Sequence, residues 1–190
     1  MKQTLKQEIF KKRNSLNKED INKKSIEIKN NLFSLPEVNK ANSLVIYVSF
    51  NSEVDTKEII KELLKNKEKK VIVPFVEKNN PILQLSELKD LNELEPKTFD
   101  ILEPKEKSIR EFNPEKVDMI LIPGVVFDLN GHRIGYGFGY YDRFLKTIKN
   151  NHIKIGLAYD FQIVDKIPEE QHDVPMDVIV TDDKVIQCNK

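Results

Sequence analysis

Five of the chain's six glycines, Gly124, Gly131, Gly135, Gly137 and Gly139, fall in one segment, GVVFDLNGHRIGYGFGYYDRFL, residues 124–145. Alternating glycines at 135, 137 and 139 allow left-handed φ and leave a bare backbone that a ligand can approach closely. In the residues that follow, Tyr141, Phe144, Leu145 and Ile148 recur at helical spacing. The glycine run therefore predicts a loop entering a helix N-terminus. Unpaired amides and the positive end of the helix dipole make such a terminus a natural seat for phosphate. Arg133, just upstream, can add a bidentate charge-assisted contact. Neither the G-x-G-x-x-G dinucleotide fingerprint nor the G-K-[ST] of a P-loop is present. Asn130-Gly131 is a separate feature, the dipeptide of a tight hairpin turn.

A phosphate loop needs a scaffold, and the flanking text supplies one. SLVIYVSF (43–50), KVIVPF (70–75), VDMILIP (117–123), KIGLAYD (154–160) and DVIVTD (177–182) are short continuous apolar runs, as expected of strands buried on both faces. Between the first two lies DTKEIIKELLKN (55–66), with Asp55 and Glu58 at capping-box spacing and Ile59, Ile60, Leu63 and Leu64 on one face. Strand, helix, strand at this spacing predicts a βαβ unit and a parallel sheet. The first 34 residues read as two helices, one marked by Leu5, Ile9 and Leu16 and the next by Ile21, Ile28 and Leu32, with Asn17 and Asp20 restarting the helix. Residues 77–115, punctuated by Pro81, Pro96, Pro104 and Pro114, read as an excursion with one strand at ILQLSEL. The expectation is one α/β domain over 1–190, with N-terminal helices (1–34) packed on an α/β core (43–182).

Net charge is zero, but residues 1–30 hold nine Lys and Arg against four acids, +5 at the start and −5 over the rest. That balance gives no reason to expect a nucleic-acid partner. The single cysteine, Cys188, excludes an intramolecular disulfide. With no signal-like segment and no long apolar run, a cytoplasmic protein without a membrane partner is expected.

RIGYGFGYYDRFL resembles the R-x-G-x-G-x-G-x-Y-D signature of the 5-formyltetrahydrofolate cyclo-ligases, also called 5,10-methenyltetrahydrofolate synthetases. Three more segments resemble family motifs, in family order: the basic KQTLKQE start, SEVDT (52–56) and QHDVPMDVIVTD (171–182). The resemblance implies a Rossmann-like three-layer fold of the NagB/RpiA/CoA-transferase type. It implies closure of 5-formyltetrahydrofolate, with or without a polyglutamate tail, to 5,10-methenyltetrahydrofolate, with ATP as co-substrate and Mg²⁺ as cofactor. It places Lys2, Lys6, Arg133, Ile134, Gly135, Tyr136, Gly137, Phe138, Gly139, Tyr140 and Tyr141 on ATP. Val48, Glu53, Tyr136, Gly137, Phe138, Gly139 and Tyr140 fall on the folate, and Asp142 and Asp173 on the metal. A monomer is expected, and no nucleophilic side chain is required.

Each assignment has a plainer counterpart. Asp142 suits the first turn of a helix for electrostatic reasons alone, Asp173 is a loop carboxylate before Pro175, and Lys2 and Lys6 fit a solvated helix face. Glu53 could cap the following helix, although Asp55 is the better cap; as a ligand, its carboxylate would accept hydrogen bonds from pterin N–H groups. His132 fits the hairpin tip, and His172 either orients Asp173 or does nothing. Tyr141 lies on the buried helix stripe, leaving Tyr140 for the ligand. Two letters depart from the family: Phe138, where Lys or a small residue is frequent, and Lys6, where Arg is, losing bidentate geometry but keeping charge. The rival readings are an enzyme acting on another N-formyl compound and a non-catalytic folate- or nucleotide-binding module.

Overall fold

The structure is a computed structural model that describes residues 2–77, 80–97, 100–149, 152–168 and 173–188. It opens with three helices, α1 (Lys2–Asn14), α2 (Lys18–Phe33) and α3 (Pro36–Lys40). The α/β core follows as β1 (Ser43–Ile46), α4 (Lys57–Lys65) and β2 (Lys70–Phe75). Next come β3 (Gln84–Leu88), β4 (Leu94–Pro96), β5 (Leu102–Pro104), β6 (Met119–Ile122), β7 (Val126–Asp128) and β8 (Arg133–Ile134). The chain continues through α5 (Tyr140–Thr147), β9 (Ile153–Leu157), β10 (Ile163–Val164), β11 (Val178–Val180) and β12 (Val185–Gln187).

Among the described residues the main sheet has seven strands in the order β12-β11-β9-β6-β1-β2-β3. The five inner strands are parallel, and the two edges, β3 and β12, are antiparallel to their neighbours. Side chains alternate across it with period two. Leu44, Ile46, Val71, Val73, Met119 and Leu121 meet α2, α3 and α4 on one face. Val45, Ile72, Ile120, Ile122 and Ile179 meet Phe127 and the Phe144, Leu145 and Ile148 stripe of α5 on the other. Helices on both faces explain why the inner strands read as unbroken apolar runs.

Several expectations need correction. Strand β1 ends at Ile46, not Phe50, because the chain turns away there to form the 47–56 loop. Residue Thr56, not Asp55, is the N-cap of α4 by backbone position. Its hydroxyl is spent inside the loop on the Tyr47 carbonyl (2.7 Å) and the Ser49 amide (3.0 Å), while the Asp55 carboxylate accepts from Lys57 N–H (3.0 Å). The 77–115 segment holds an additional antiparallel hairpin, β4 with β5. The hairpin expected at Asn130-Gly131 is present as the antiparallel pair β7–β8, which β10 extends into a small three-stranded sheet; β10 and β12 are strands that the sequence pattern does not show. Helix α1 packs its Leu5, Ile9 and Phe10 on that small sheet through Val125, Val126 and Ile167. Asn17 does cap α2, its side chain accepting from Asp20 N–H (2.8 Å).

The Phe127 ring joins the two sheets and sits between two glycines. A Cβ at Gly156 would fall 2.6 Å from Phe127 Cε1, and one at Gly124 would fall 2.4 Å from its Cζ. No side chain fits either place unless the ring moves. Gly156→Ala should therefore cost about 1–3 kcal/mol of stability, measured by urea unfolding. Pairing it with Phe127→Leu should recover part of that loss, a non-additivity expected of residues in contact. Additive losses would show that the two sites do not share this space.

Candidate active site

Strand β1 is followed in sequence by β2 on one side of it, and the later strands β6, β9 and β11 are laid down on the other. Connections leaving β1 and β6 therefore diverge, and a crevice opens beyond their carboxyl ends, where ligands bind in open α/β sheets. In this chain the crevice is a cavity of about 890 Å³. Residues Tyr47, Val48, Phe50 and Glu53 after β1, Phe75 and Val76 at the end of β2, and Pro123 after β6 line it. So do Lys2, Gln3 and Lys6 of α1, the whole run from Arg133 to Asp142, and Asp173. Every residue that the sequence nominated for ATP, folate or metal borders this one space. Of the two histidines considered, His132 lies at the hairpin tip with Nδ1 3.3 Å from Asp128, and His172 lies outside the described residues.

The glycine loop is shaped for approach. Gly137 and Gly139 take φ of +105° and +67°, and Gly139 is the N-cap of α5 with no side chain to cover the first amides. A Cβ at Gly135 would meet nothing within 4 Å, so at this position it is space beside the backbone, not φ, that the glycine preserves. Lys6 Nζ donates to the Tyr136 carbonyl (2.7 Å), which brings the cation of α1 onto the loop. Phe138 is 55 % exposed, and its ring lies 6.2 Å from that of Tyr140.

Charges around the loop are paired. Arg133, almost wholly buried, donates to Asp142 Oδ1 (2.7 Å) and to the Val174 carbonyl (3.3 Å). Lys2 Nζ lies 3.5 Å from Asp173 Oδ2. Asp142 is in the first turn of α5, where the helix dipole also favours a carboxylate.

A buried relay crosses the cavity floor. Arg13, 2 % exposed, donates through Nη2 to the Tyr136 hydroxyl (2.7 Å), which in turn donates to Glu53 Oε1 (2.5 Å). The other oxygen of Glu53 accepts from Phe50 N–H (2.8 Å), and Tyr159 donates to the Glu53 carbonyl (2.9 Å). Glu53 is 8 % exposed. Burial raises its pKa above the ordinary carboxylate value, while the bonds from Tyr136 and Phe50 and the charge of Arg13 oppose the rise without cancelling it. Sequence reasoning passes over Arg13, although a signal exists: it lies four residues after Ile9, on the apolar face of α1. Tyr141 divides its side chain. Its ring packs in the core, as its place on the helix stripe predicts, but it also lines the cavity. The hydroxyl is buried with no hydrogen-bond partner among the described residues, and burial raises its pKa.

These parts can seat a polyphosphate on bare amides and cations, and a flat polar ring against buried carboxylates and apolar walls. Among the described residues no three His, Cys, Asp or Glu side chains cluster as a self-sufficient metal site. The two hard carboxylates, Asp142 and Asp173, suit Mg²⁺, which commonly takes one or two carboxylates and completes its shell with waters and substrate phosphates.

A model of the 5-formyltetrahydrofolate cyclo-ligase family matches residues 1–182. The 5-formyltetrahydrofolate cyclo-ligase of Haemophilus influenzae is 33% identical over 184 residues, covering 94% of this chain and 97% of that protein. The mitochondrial protein of that name from Arabidopsis thaliana is 31% identical over 182 residues, covering 84% of this chain and 66% of the relative. The solved structure of the 5,10-methenyltetrahydrofolate synthetase of Aquifex aeolicus superposes with a TM-score of 0.86 at 38% identity, covering 100% of this chain and 93% of that one.

The Glu53 environment has a signed consequence. A carboxyl whose folded pKa is raised contributes stability that is complete below the unfolded pKa of about 4.3 and is lost as pH rises through the folded value. Glu53→Gln should therefore flatten the fall in unfolding free energy above about pH 4. Urea titrations from about pH 4 to pH 8 read this directly; slopes equal to those of the parent protein would clear Glu53 of responsibility.

Proposed function

Because the chain belongs to the 5-formyltetrahydrofolate cyclo-ligase family, we propose that its cavity holds 5-formyltetrahydrofolate and ATP side by side. The folate is closed to 5,10-methenyltetrahydrofolate, with release of ADP and phosphate. The observation that carries this reading is the convergence of the glycine loop, Glu53, both N-terminal lysines and both aspartates on one cavity.

A formamide carbon is a poor electrophile and its oxygen a poor leaving group. Transfer of the γ-phosphoryl group to that oxygen forms an O–P bond, breaks the bond to ADP and leaves an iminium phosphate. N10 then attacks the carbon and gives up its proton, and phosphate departs with the former formyl oxygen. Such a sequence needs positioning and charge neutralisation rather than a protein nucleophile.

The residues divide the work accordingly. Ile134, Gly135, Gly137 and Gly139 keep the loop backbone open to the phosphates, and Arg133, Lys2 and Lys6 supply the charge. The orphan hydroxyl of Tyr141 is a donor that the nucleotide can satisfy. Glu53, Val48 and the rings of Tyr136, Phe138 and Tyr140 face the folate. Phe138 thus offers ring stacking where a lysine would offer charge. Asp142 and Asp173 would hold Mg²⁺, which when bound offsets the negative charge of the transferring phosphoryl group.

In the same reading the architecture is the three-layer, Rossmann-like NagB/RpiA/CoA-transferase type, supported by helices on both faces of a mainly parallel sheet. Residues 1–190 act as one domain, as a cytoplasmic monomer without nucleic-acid or membrane partners. Among the described residues no helix is long and apolar enough to cross a membrane. A polyglutamate tail on the substrate would extend out of the cavity.

Purified protein given 5-formyltetrahydrofolate and MgATP should accumulate the methenyl chromophore with one ADP per turnover. A folded protein that yields neither would overturn the reading. Arg133→Ala should lower kcat by about 100-fold or more. Asp142→Asn should raise the Mg²⁺ concentration for half-maximal rate by about 10-fold or more, with little change in the KM for the folate; an unchanged Mg²⁺ dependence would remove Asp142 from the metal site.

A further inference from the structure

Glu103 lies in β5, within the 77–115 segment, whose residues match none of the motifs above. It is 5 % exposed and yet borders the same cavity as the glycine loop. Its carboxylate receives a single long hydrogen bond among the described residues, from Val76 N–H at 3.4 Å. A carboxylate can accept about four hydrogen bonds, and burying one with so few costs free energy. Burial raises its pKa, and the Val76 amide and the charge of Lys97 only partly oppose that. Glu53 differs in that both of its oxygens already hold a donor. Of the two buried carboxylates in the cavity, Glu103 has the greater unused capacity. Nothing in the packing returns its cost, and sites of function are where a fold tolerates such a conflict.

The surroundings narrow what could use it. Phe75, Val76, Leu83, Ile101 and Leu102 make the adjoining wall apolar. A carboxylate set in an apolar wall suits a flat heterocycle with two neighbouring N–H donors on one edge. The 2-amino-4-oxopteridine of a folate has that edge, formed by the exocyclic amine and the adjacent ring N3–H. Polyphosphate, or the anionic glutamate tail, would be repelled from the same place.

We propose that Glu103 accepts the paired amino and ring N–H donors of the pterin, and so sets which way the formyl group of the bound folate faces. The inference rests on the reading of this cavity as a folate site. Glu53 keeps its folate contact, while Glu103 supplies the two-point recognition that fixes the ring.

The test combines Glu103→Gln with a 5-formyltetrahydrofolate analogue that has methyl in place of the 2-amino group, with affinities read by calorimetry and KM by turnover. Glu103→Gln should bind 5-formyltetrahydrofolate about 10–100-fold more weakly, in the range of one lost charged, paired contact, with the KM for MgATP unchanged. The parent protein should lose a similar factor on the desamino analogue, and the variant should scarcely distinguish the two ligands. The variant should melt at or above the parent temperature, because a buried charge has been removed. Equal weakening toward both ligands, unchanged folate affinity, or a lower Tm with parallel losses for folate and MgATP would each overturn the proposal. A parent protein that binds no 5-formyltetrahydrofolate overturns the functional reading and this inference with it. Parent binding with an unimpaired variant overturns this inference alone.

Discussion

The relay from Arg13 through Tyr136 to Glu53 ties together three segments that the chain places far apart. Arg13 belongs to the first helix, Glu53 to the loop after the first strand, and Tyr136 to the glycine loop. A guanidinium buried to 2 % exposure pays a large desolvation cost, so it is stable only while all its partners stay in place. Those partners are the Tyr136 hydroxyl, the Ser52 hydroxyl (3.1 Å) and, more weakly, the Gly124 carbonyl (3.5 Å), with the Phe10 and Tyr136 rings beside it. Moving any one segment would strand a charge in the interior. The glycine loop has little packing of its own, and this network is what gives it a defined position. Lys6, about two turns earlier on α1, reaches the loop as well. The N-terminal helix is in this sense part of the site and not an appendage.

Strand order explains why the site is where it is. The reversal beside β1 opens the sheet between β1 and β6, so that the Glu53 loop and the connection from β6 toward the glycine loop leave on either side of one crevice. Strand β1 itself contributes only three buried apolar residues, Leu44, Val45 and Ile46. Its role is to present the tight 47–56 turn, in which Asn51 takes a φ of +52° and Glu53 folds back onto the Phe50 amide. Rigidity is thus built below the site by sheet packing and at its rim by local hydrogen bonds. The Phe127 ring, wedged between Gly124 and Gly156, carries that rigidity from the main sheet into the small sheet that supports the glycine loop.

What the sequence made legible follows from how each feature is encoded. Inner strands buried on both faces announce themselves as apolar runs, and α5 as a periodic stripe, because burial alone determines those residue types. The glycine triplet was legible for a similar reason: three residues without side chains have few other uses. Arg13 was hidden by composition, since one more cation in a lysine-rich helix looks solvated until its neighbours are known. Asp55 looked like the better cap because spacing cannot show where a hydroxyl or carboxylate is spent; the Thr56 hydroxyl is turned inward to the Tyr47 carbonyl. The β4–β5 hairpin was obscured by Pro96 and Pro104, which are tolerated because they sit at strand ends in a two-stranded sheet. Glu103 lies in that hairpin, and its burial is a tertiary fact that no local pattern records.

The charges at the cavity rim constrain what can bind in the proposed reaction. Arg133 is paired with Asp142, and Lys2 lies beside Asp173, so cation and carboxylate hold one another before any ligand arrives. Opening the Arg133–Asp142 pair exposes one charge of each sign. A polyphosphate alone would satisfy the cation and leave the carboxylate facing like charge; a bare divalent ion would do the reverse. A ligand that brings both signs at once, a metal–nucleotide complex, compensates both halves in a single exchange. In the proposed reaction Asp142 then turns to the metal and Arg133 to phosphate oxygens, with little change in the net charge of the cavity. In that reading the pairing also holds Arg133 and Asp142 near the positions that the reaction uses, which lowers the ordering cost of binding. In the proposed reaction these ion pairs therefore serve selectivity for the complex, and the partly exposed Lys2–Asp173 pair in particular adds little to stability.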